Sequence, residues 1–339
     1  MTPSQATRPT LRTVAAAAGV STATASYVLS GKDASIPAET AARVLAAAKE
    51  QGYRPNRAAR AMRTGRTGLV LLSLNMMSDP WSLGVSESVG QRAAEHGLAA
   101  LVQAHGAWFD TITQVQPDVA YVDSPDEDAE TASQLERLVA AGQRLVVFSE
   151  RLEPAGFDVV RSAAAPGSEL ALNELLSHTA QVAFLTPAGT VELSRERRTR
   201  YTAYQEAVAA GRVERDLTTL YDGSRAGAFR AAVGLLESAD RPAAIAANTD
   251  YAALAAIGAA QFLGLKVPED LLVTGLGNTD EGAESTPSLT SAGPENFYER
   301  QAQIVVDAAT REIGDGTVHD FEWLLHRRAS TTPPDPRGA

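Results

Sequence analysis

The stretch "TLRTVAAAAGVSTATASYVLSG", residues 10–31, decides the fold of the N-terminal region. Its first apolar stripe recurs at the spacing of one helix face and consists of Leu11, Val14, Ala15 and Ala18. Thr10 precedes that stripe as an N-cap, and Gly19 follows it as a residue suited to the left-handed backbone of a helix end. Ser21 can cap a second stripe, which consists of Ala25, Val28 and Leu29. The stretch therefore predicts two short helices joined by a tight turn.

A third helix is predicted to open near Pro37, because proline is favoured at a first helical position, and to end at "QGYRP", residues 51–55. Its buried side chains are predicted to be Ala41, Val44, Leu45 and Ala48. Three short helices with a glycine turn between the first two are typical of a helix-turn-helix. The alternative is a small alanine-rich helical bundle that binds no nucleic acid.

In a helix-turn-helix the second helix enters the DNA major groove. Its outward side chains are predicted to be Thr22, Ala23, Ser26 and Tyr27. Small residues let the backbone approach the bases, where methyl groups and hydroxyls can contact base edges. Tyr27 is the largest of the side chains that are expected to contact the bases.

The formal net charge of -11 is distributed unevenly along the chain. Residues 1–66 carry ten basic and three acidic side chains, a formal charge of +7, so that the remainder carries -18. A small basic head on an acidic body suits a polyanionic partner at one end. A solvated basic surface would give the same charge.

The segment "YRPNRAARAMRTGRTG", residues 53–68, follows the third helix. Pro55 prevents that helix from continuing, and Asn56 can cap a new one that runs through Met62. This helix is shorter than the ~12 to 15 residues that an isolated helix needs, so it should be ordered only when something holds it. The alternative is a flexible basic linker.

Other chemistry finds little support in the sequence. The chain has no cysteine, no membrane span and no secretion signal, and its five histidines share no motif spacing. Nucleophile-elbow, zinc-protease and phosphate-loop motifs are absent. We expect a cytoplasmic protein that is not an enzyme and that holds no cofactor and no metal.

Strand-like runs such as "GLVLLSL", "VAFLT" and "LLVTGLG" alternate with helical stretches, which indicates an α/β body of parallel sheets.

The segments "TLRTVAAAAGVSTATASYVLSG" and "GYRPNRAARAMRTGRTG" and the terminal "RRAST" resemble the LacI/GalR family of bacterial transcriptional regulators. The resemblance implies a hinge helix that enters the minor groove beside its dimer mate, with Met62 in place of the usual intercalating leucine. It implies a homodimer on a palindromic double-stranded DNA operator, and two Rossmann-like subdomains, similar to periplasmic binding proteins, that enclose a small-molecule effector. The DNA contacts carried over are Thr10, Leu11, Thr22, Ala23, Ser26, Tyr27, Asn56, Arg57, Ala59 and Met62.

The predicted domains are a flexible N-terminus at 1–9, a helix-turn-helix domain at 10–55, a hinge helix at 56–66, an effector-binding and dimerisation domain at 67–332 and a disordered tail at 333–339. Within the largest, subdomain one is predicted at 67–160 plus 292–316, and subdomain two at 161–291 plus 317–332.

Sugar-responsive members of the family hold hydroxyls with an Arg and an Asp and stack an aromatic ring on the sugar. Arg200 matches the Arg, whereas the Asp position is Gly277, followed by Asn278, and the stacking position is Gly223. We therefore expect an effector other than a simple sugar, anionic and held by Arg200. A vestigial pocket, with constitutive action or control by a protein partner, is the alternative.

Four residues are predicted to bind the effector: Trp81, Arg200, Asp250 and Asn278. Trp81 would line the wall opposite Arg200. Two alternatives stay open at this point: Arg200 as half of a structural ion pair, and Asp250 as the N-cap of the helix that follows it.

Overall fold

A computed structural model of the chain describes residues 9–30, 35–53, 61–62, 64–75, 80–126, 128–195 and 198–332. The chain separates into two units, Met1–Gly68 and Leu69–Ala339.

The N-terminal unit begins with three helices, α1 (Leu11–Ala18), α2 (Thr22–Ser30) and α3 (Ala38–Glu50). Thr10 caps α1, since its hydroxyl accepts from the Thr13 amide at 3.3 Å and the Thr13 hydroxyl accepts from the Thr10 amide at 3.1 Å. Gly19 ends α1 with φ +67°, and the Ser21 hydroxyl accepts from the Thr24 amide at 3.0 Å at the start of α2. The caps predicted at Thr10, Gly19 and Ser21 are therefore confirmed.

The core of this unit is small and consists of Val14, Ala15, Ala18, Ala25, Val44, Ala47 and Ala48. Two details of the third helix differ from the prediction. Leu45 is 54% exposed, and Ala47 is buried in its place, because the inner stripe of α3 runs through residues 44, 47 and 48. Pro37 is the N-cap of α3 rather than its first residue.

The second unit contains two six-stranded sheets. The first has the strand order β11-β5-β4-β3-β1-β2, and all of its pairings are parallel. Its strands are β1 (Leu69–Leu74), β2 (Ala99–Ala104), β3 (Val119–Asp123), β4 (Leu145–Phe148), β5 (Asp158–Arg161) and β11 (Val318–Asp320). Its helices are α4 (Pro80–Glu95), α5 (Trp108–Val115), α6 (Ala129–Ala140) and α13 (Phe297–Thr310). The parallel α/β class predicted from the alternating runs is thus observed.

The second sheet has the order β12-β10-β9-β8-β6-β7 and is parallel except for β12. Its strands are β6 (Val182–Pro187), β7 (Thr218–Tyr221), β8 (Ala244–Ala247), β9 (Leu272–Leu276), β10 (Thr290–Gly293) and β12 (Leu324–His326). Its helices are α7 (Ala164–Leu176), α8 (Ala188–Leu193), α9 (Thr202–Ala209), α10 (Arg225–Glu237), α11 (Asp250–Phe262) and α12 (Asp280–Glu284). Alanines of α10 and α11 let these helices pack closely on the sheet.

The chain crosses between the sheets three times: after β5, after β10 and after β11. The third crossing corrects the predicted subdomain boundaries, which placed residues 317–332 entirely in subdomain two. β11 pairs with β5 in the first sheet, so the chain leaves that sheet only after Asp320. β5 also extends to Arg161, one residue past the predicted boundary. A three-residue strand with two polar residues has no hydrophobic pattern from which it could be recognised.

No helix among the described residues is long and apolar enough to cross a membrane.

A buried carboxylate fastens the segment before β11 to β5. Asp158 is 1% exposed, accepts from the Thr317 amide at 2.9 Å, and is paired with Arg311 and, at 3.4 Å, with His319. Burial alone would raise the pKa of Asp158, but the hydrogen bonds from His319, Arg311 and Thr317, together with the charge of Arg311, outweigh it and lower that pKa. The ionised carboxylate is therefore the form that the fold stabilises.

We expect Asp158→Asn to lower the free energy of unfolding at pH 7 by about 1 to 3 kcal/mol, because buried donors lose a charged acceptor. The folded-state pKa lies below the unfolded value of about 3.9, so this contribution is full above that value and is lost as pH falls through the folded pKa. Urea unfolding at pH 7 and pH 3 measures it.

The difference between the wild type and the variant should shrink at pH 3, and a difference that stays constant contradicts the assignment. Asp240→Asn is the control, because Asp240 forms an exposed ion pair with Arg215 and should matter much less.

Candidate nucleic-acid interface and ligand cleft

The outward face of α2 is small and accessible. Thr22 and Ala23 are exposed, Ser26 is partly buried, and Tyr27 is 52% exposed. Ala25, on the opposite side, is fully buried. The helix is therefore anchored by one side and offers the other to a partner, which is the geometry that a recognition helix needs.

The remaining predicted DNA contacts divide into two groups. Thr10 is exposed and Leu11 is partly buried at the start of α1, and Met62 is helical and 90% exposed. Asn56, Arg57 and Ala59 lie outside the described residues. An apolar side chain as exposed as that of Met62 has room to insert between bases.

In the second unit, all three crossings leave the carboxyl ends of parallel strands. Arg161, Gly293 and Asp320 are the last residues of those strands. Ligands of open α/β sheets bind outside the carboxyl ends of the strands. We use "ligand cleft" for the residues at these carboxyl ends and at the crossings.

Trp81 belongs to the first-sheet side of the ligand cleft. Its ring lies 5.3 Å from that of Phe148, at the end of β4, and 6.1 Å from that of Phe297, at the start of α13. It is partly buried. The rings form an apolar wall at the carboxyl edge of the first sheet.

Arg200 belongs to the second-sheet side and is partly buried. Its Nη1 donates to the backbone oxygen of Asn248 at 2.9 Å, and its guanidinium carbon lies 5.5 Å from the ring centre of Trp323. Within the part of the chain that the structure describes, no acidic side chain lies within 4.0 Å of it. Arg200 is therefore not half of an ion pair with any residue that the structure describes.

Asn248 follows β8 and is 7% exposed. Its side-chain Oδ1 has no hydrogen-bond partner among the described residues. A buried acceptor without a donor costs free energy, so it favours a ligand that donates. Sequence reasoning missed this residue, because nothing local distinguishes an asparagine that follows a strand.

Asp250 is 1% exposed and its carboxylate is occupied by its neighbours. It accepts from the Thr279 amide at 2.7 Å, from the Thr279 hydroxyl at 3.0 Å and from the Ser291 hydroxyl at 2.5 Å. Burial raises its pKa despite these bonds. The N-cap of α11 is Thr249, whose hydroxyl accepts from the Ala252 amide at 3.2 Å, so the prediction of Asp250 as the cap is wrong by one residue.

Asn278 stands in the same network. Its amide donates to the Ser291 hydroxyl at 2.9 Å, its side chain donates to the Pro294 oxygen at 3.4 Å, and its Oδ1 accepts from Arg328. The structure thus joins Asp250 and Asn278 through Ser291.

Gly277 and Gly223, which the family resemblance aligns with a sugar-binding aspartate and a stacking ring, adopt backbone conformations that favour glycine. Gly277 has φ +131° and Gly223 has φ +80°. At Gly223 a Cβ would meet nothing within 4 Å, so there is space but an unfavourable backbone for a side chain. Beside Gly277, a Cβ on Gly293 would lie 2.6 Å from the Gly277 carbonyl carbon. The turn after β9 is therefore in direct contact with the second crossing.

Trp323 is the other residue that sequence reasoning missed. It lies in the third crossing, is 8% exposed, and donates from Nε1 to the Ser162 hydroxyl at 2.8 Å. A rare aromatic residue after a short strand is the one signal that could have marked it. Among the described residues, no three metal-ligating side chains come together.

Comparison with known proteins identifies the domains in which these residues lie. Residues 10–56 match the family model described as bacterial regulatory proteins, lacI family. Residues 176–331 match the model of a periplasmic binding protein-like domain. The chain is 30% identical to the HTH-type transcriptional regulator reg1 of Streptomyces lividans, over 97% of this chain and 98% of that protein.

Two solved structures are also similar. The transcriptional regulator CelR-cellobiose complex is 26% identical with a TM-score of 0.60, covering 95% of this chain and 100% of that chain. The lac repressor dimer bound to operator and the anti-inducer ONPF has a TM-score of 0.70 over 95% of this chain and 99% of that chain, and at 19% identity it is a likeness of fold.

Proposed function

The chain belongs to the LacI family of bacterial regulatory proteins, and on that premise we propose that it represses transcription by binding a palindromic operator as a homodimer, under the control of a small molecule bound in the ligand cleft. The observation that carries the proposal is the exposed face of α2 on a capped helix-turn-helix. Membership of the family makes the chain a DNA-binding transcriptional regulator. The repressor action, the dimer and the effector are the proposed parts.

Recognition of the operator divides between two kinds of contact. Thr22, Ala23, Ser26 and Tyr27 would read base edges in the major groove, with modest discrimination for each contact. The basic side chains of residues 1–66 would supply affinity through the phosphates. Met62 would enter the minor groove at an easily kinked central step, in a hinge segment that becomes ordered on DNA.

The homodimer finds support on the edge of the first sheet. β2 is an edge strand, and Leu101 and Val102 on it are 41% and 45% exposed. An exposed apolar edge strand is a site at which chains associate. A second copy related by a two-fold axis would also present two recognition helices to the two halves of a palindrome.

The effector is proposed to carry an anionic group and a hydrogen-bond donor. The anion would bind Arg200, which has no described acidic partner, and the donor would bind the buried Oδ1 of Asn248. The glycines at positions 223 and 277 remove the ring and the carboxylate that hold sugars in relatives. Ligand binding would shift the hinge segment between ordered and disordered states through a coupling of about 1 to 3 kcal/mol.

Tyr27→Ala is expected to weaken binding to the selected operator by about 5- to 100-fold and to leave nonspecific binding at low salt nearly unchanged. The operator comes from selection of random duplexes by the full-length protein, and fluorescence anisotropy measures both affinities. Leu45→Ala is the matched control, because Leu45 is exposed to a similar extent in the same unit but lies off the recognition face.

Enrichment of a palindrome supports the proposal, and repression follows if the bound protein blocks in vitro transcription from a promoter that overlaps it. Equal losses for Tyr27→Ala and Leu45→Ala, or binding that is indifferent to sequence at both low and high salt, contradict it.

Leu101→Asp is expected to shift the protein from dimer to monomer at micromolar concentration, because it places a charge in an apolar contact. Sedimentation velocity measures the state. Leu193→Asp, at a 44% exposed position on the second sheet's side, is the control and should remain dimeric. A dimer that survives Leu101→Asp places the association elsewhere.

Arg200→Gln is expected to abolish the response to the effector while leaving operator affinity without effector unchanged. A thermal-shift screen of carboxylates and phosphate esters, with cellobiose included because a similar protein was solved with it, identifies the ligand. Stabilisation by an anion that Arg200→Gln removes supports the proposal. Stabilisation by cellobiose alone overturns the anionic effector, and no response across the screen favours a vestigial pocket.

A further inference from the structure

We infer that Trp323 is a positioning residue that connects the side chain of Arg200 to the crossings between the two sheets. The inference rests on the proposed function of the ligand cleft, in which Arg200 binds the effector. In this inference, Trp323 transmits the binding of a ligand at Arg200 to the crossings between the two sheets.

The indole first connects two crossings. Trp323 lies in the third crossing, between β11 and β12, and its Nε1 donates to the hydroxyl of Ser162, which follows β5 in the first crossing. Both residues are buried, with exposures of 8% and 4%. A buried hydrogen bond of this kind is costly to leave unmade, so the two crossings move together.

The ring also packs on the beginning of α7. A Cβ on Gly167 would lie 2.0 Å from the indole, so the helix backbone and the ring are in direct contact. The same cluster contains Ala164, Ala171, Leu276 and Ala292. This close packing leaves the ring little freedom, so a displacement of a crossing is transmitted to the indole.

The second connection is to Arg200. Its guanidinium lies over the indole at 5.5 Å and is fixed on another side by the Asn248 oxygen at 2.9 Å. A guanidinium over an indole gains a cation–π attraction that corresponds to about a 2- to 5-fold effect on an equilibrium. A ligand anion that pulls Arg200 from the ring therefore alters a contact that the crossings share.

A double-mutant cycle tests this link without a ligand. Ser162 and Arg200 both contact the indole, from the first crossing and from the second-sheet side. We expect the effects of Ser162→Ala and Arg200→Met on the equilibrium constant of unfolding to be non-additive by about 2- to 5-fold. The coupling should vanish when the cycle is repeated in Trp323→Phe, which keeps a ring over Gly167 but loses the indole N–H.

Additive effects overturn the inference, and so does a coupling that persists in Trp323→Phe. Should Ser162→Ala fail to fold, Ser162→Cys, which replaces the hydroxyl with a weak sulfur acceptor, takes its place in the cycle.

A second arm separates a positioning role from a merely structural one. Operator affinity of the full-length dimer is titrated with succinate and with inorganic phosphate as anionic probes. Trp323→Phe should reduce the ratio of operator affinities with and without probe by about 2- to 5-fold relative to the wild type. Trp108→Phe, in α5, is the control.

The two failures are distinguishable. If Arg200→Gln abolishes the response to a probe while Trp323→Phe leaves it intact, the inference about Trp323 is overturned and the proposed function stands. If neither probe changes operator affinity, the anionic effector loses support, and the double-mutant cycle alone decides the role of Trp323.

Discussion

The buried carboxylate of Asp250 is the interaction on which the second-sheet side of the ligand cleft depends. A buried charge is unfavourable, and three hydrogen bonds from Thr279 and Ser291 offset part of that cost, although burial still raises the pKa of Asp250. The carboxylate fixes the turn after β9 against β10. It also explains two nearby glycines, since a Cβ on Gly275 would lie 2.3 Å from it and one on Gly282 would lie 3.2 Å away. The positions of Asn278 and of the second crossing follow from this arrangement.

The first three helices of the N-terminal unit could be predicted almost entirely from the sequence because their determinants are local. Caps, the glycine turn and two apolar stripes lie within 22 consecutive residues, and the structure has each of them. The prediction that Leu45 is buried was wrong, because Ala47 belongs to the inner stripe of α3 instead and the packing of the neighbouring helices decides which of the two is buried. The short strand β11 was not predicted for a similar reason, because only its pairing with β5 defines it as a strand.

The candidate ligand site was predictable only in part. Arg200 and Trp81 were predicted as ligand-binding residues from the family resemblance, and the structure places them on the two sides of the ligand cleft. Trp323 and Asn248 became visible only in the structure, because their significance lies in contacts between segments that are far apart in sequence. Asp250 was found by resemblance, but its role as an internal acceptor depends on Thr279 and Ser291, which no local pattern connects to it.

The backbone at Gly277 has a consequence for how this regulator can evolve. With φ +131° and the second crossing in contact with it, the position disfavours every residue that carries a Cβ. An aspartate, which the family resemblance leads us to expect at this position in sugar-responsive members, would strain the turn. A side chain can be introduced here only together with a change in the conformation of the loop. The chemistry that this turn can offer to a ligand is therefore restricted by the backbone conformation of a single residue.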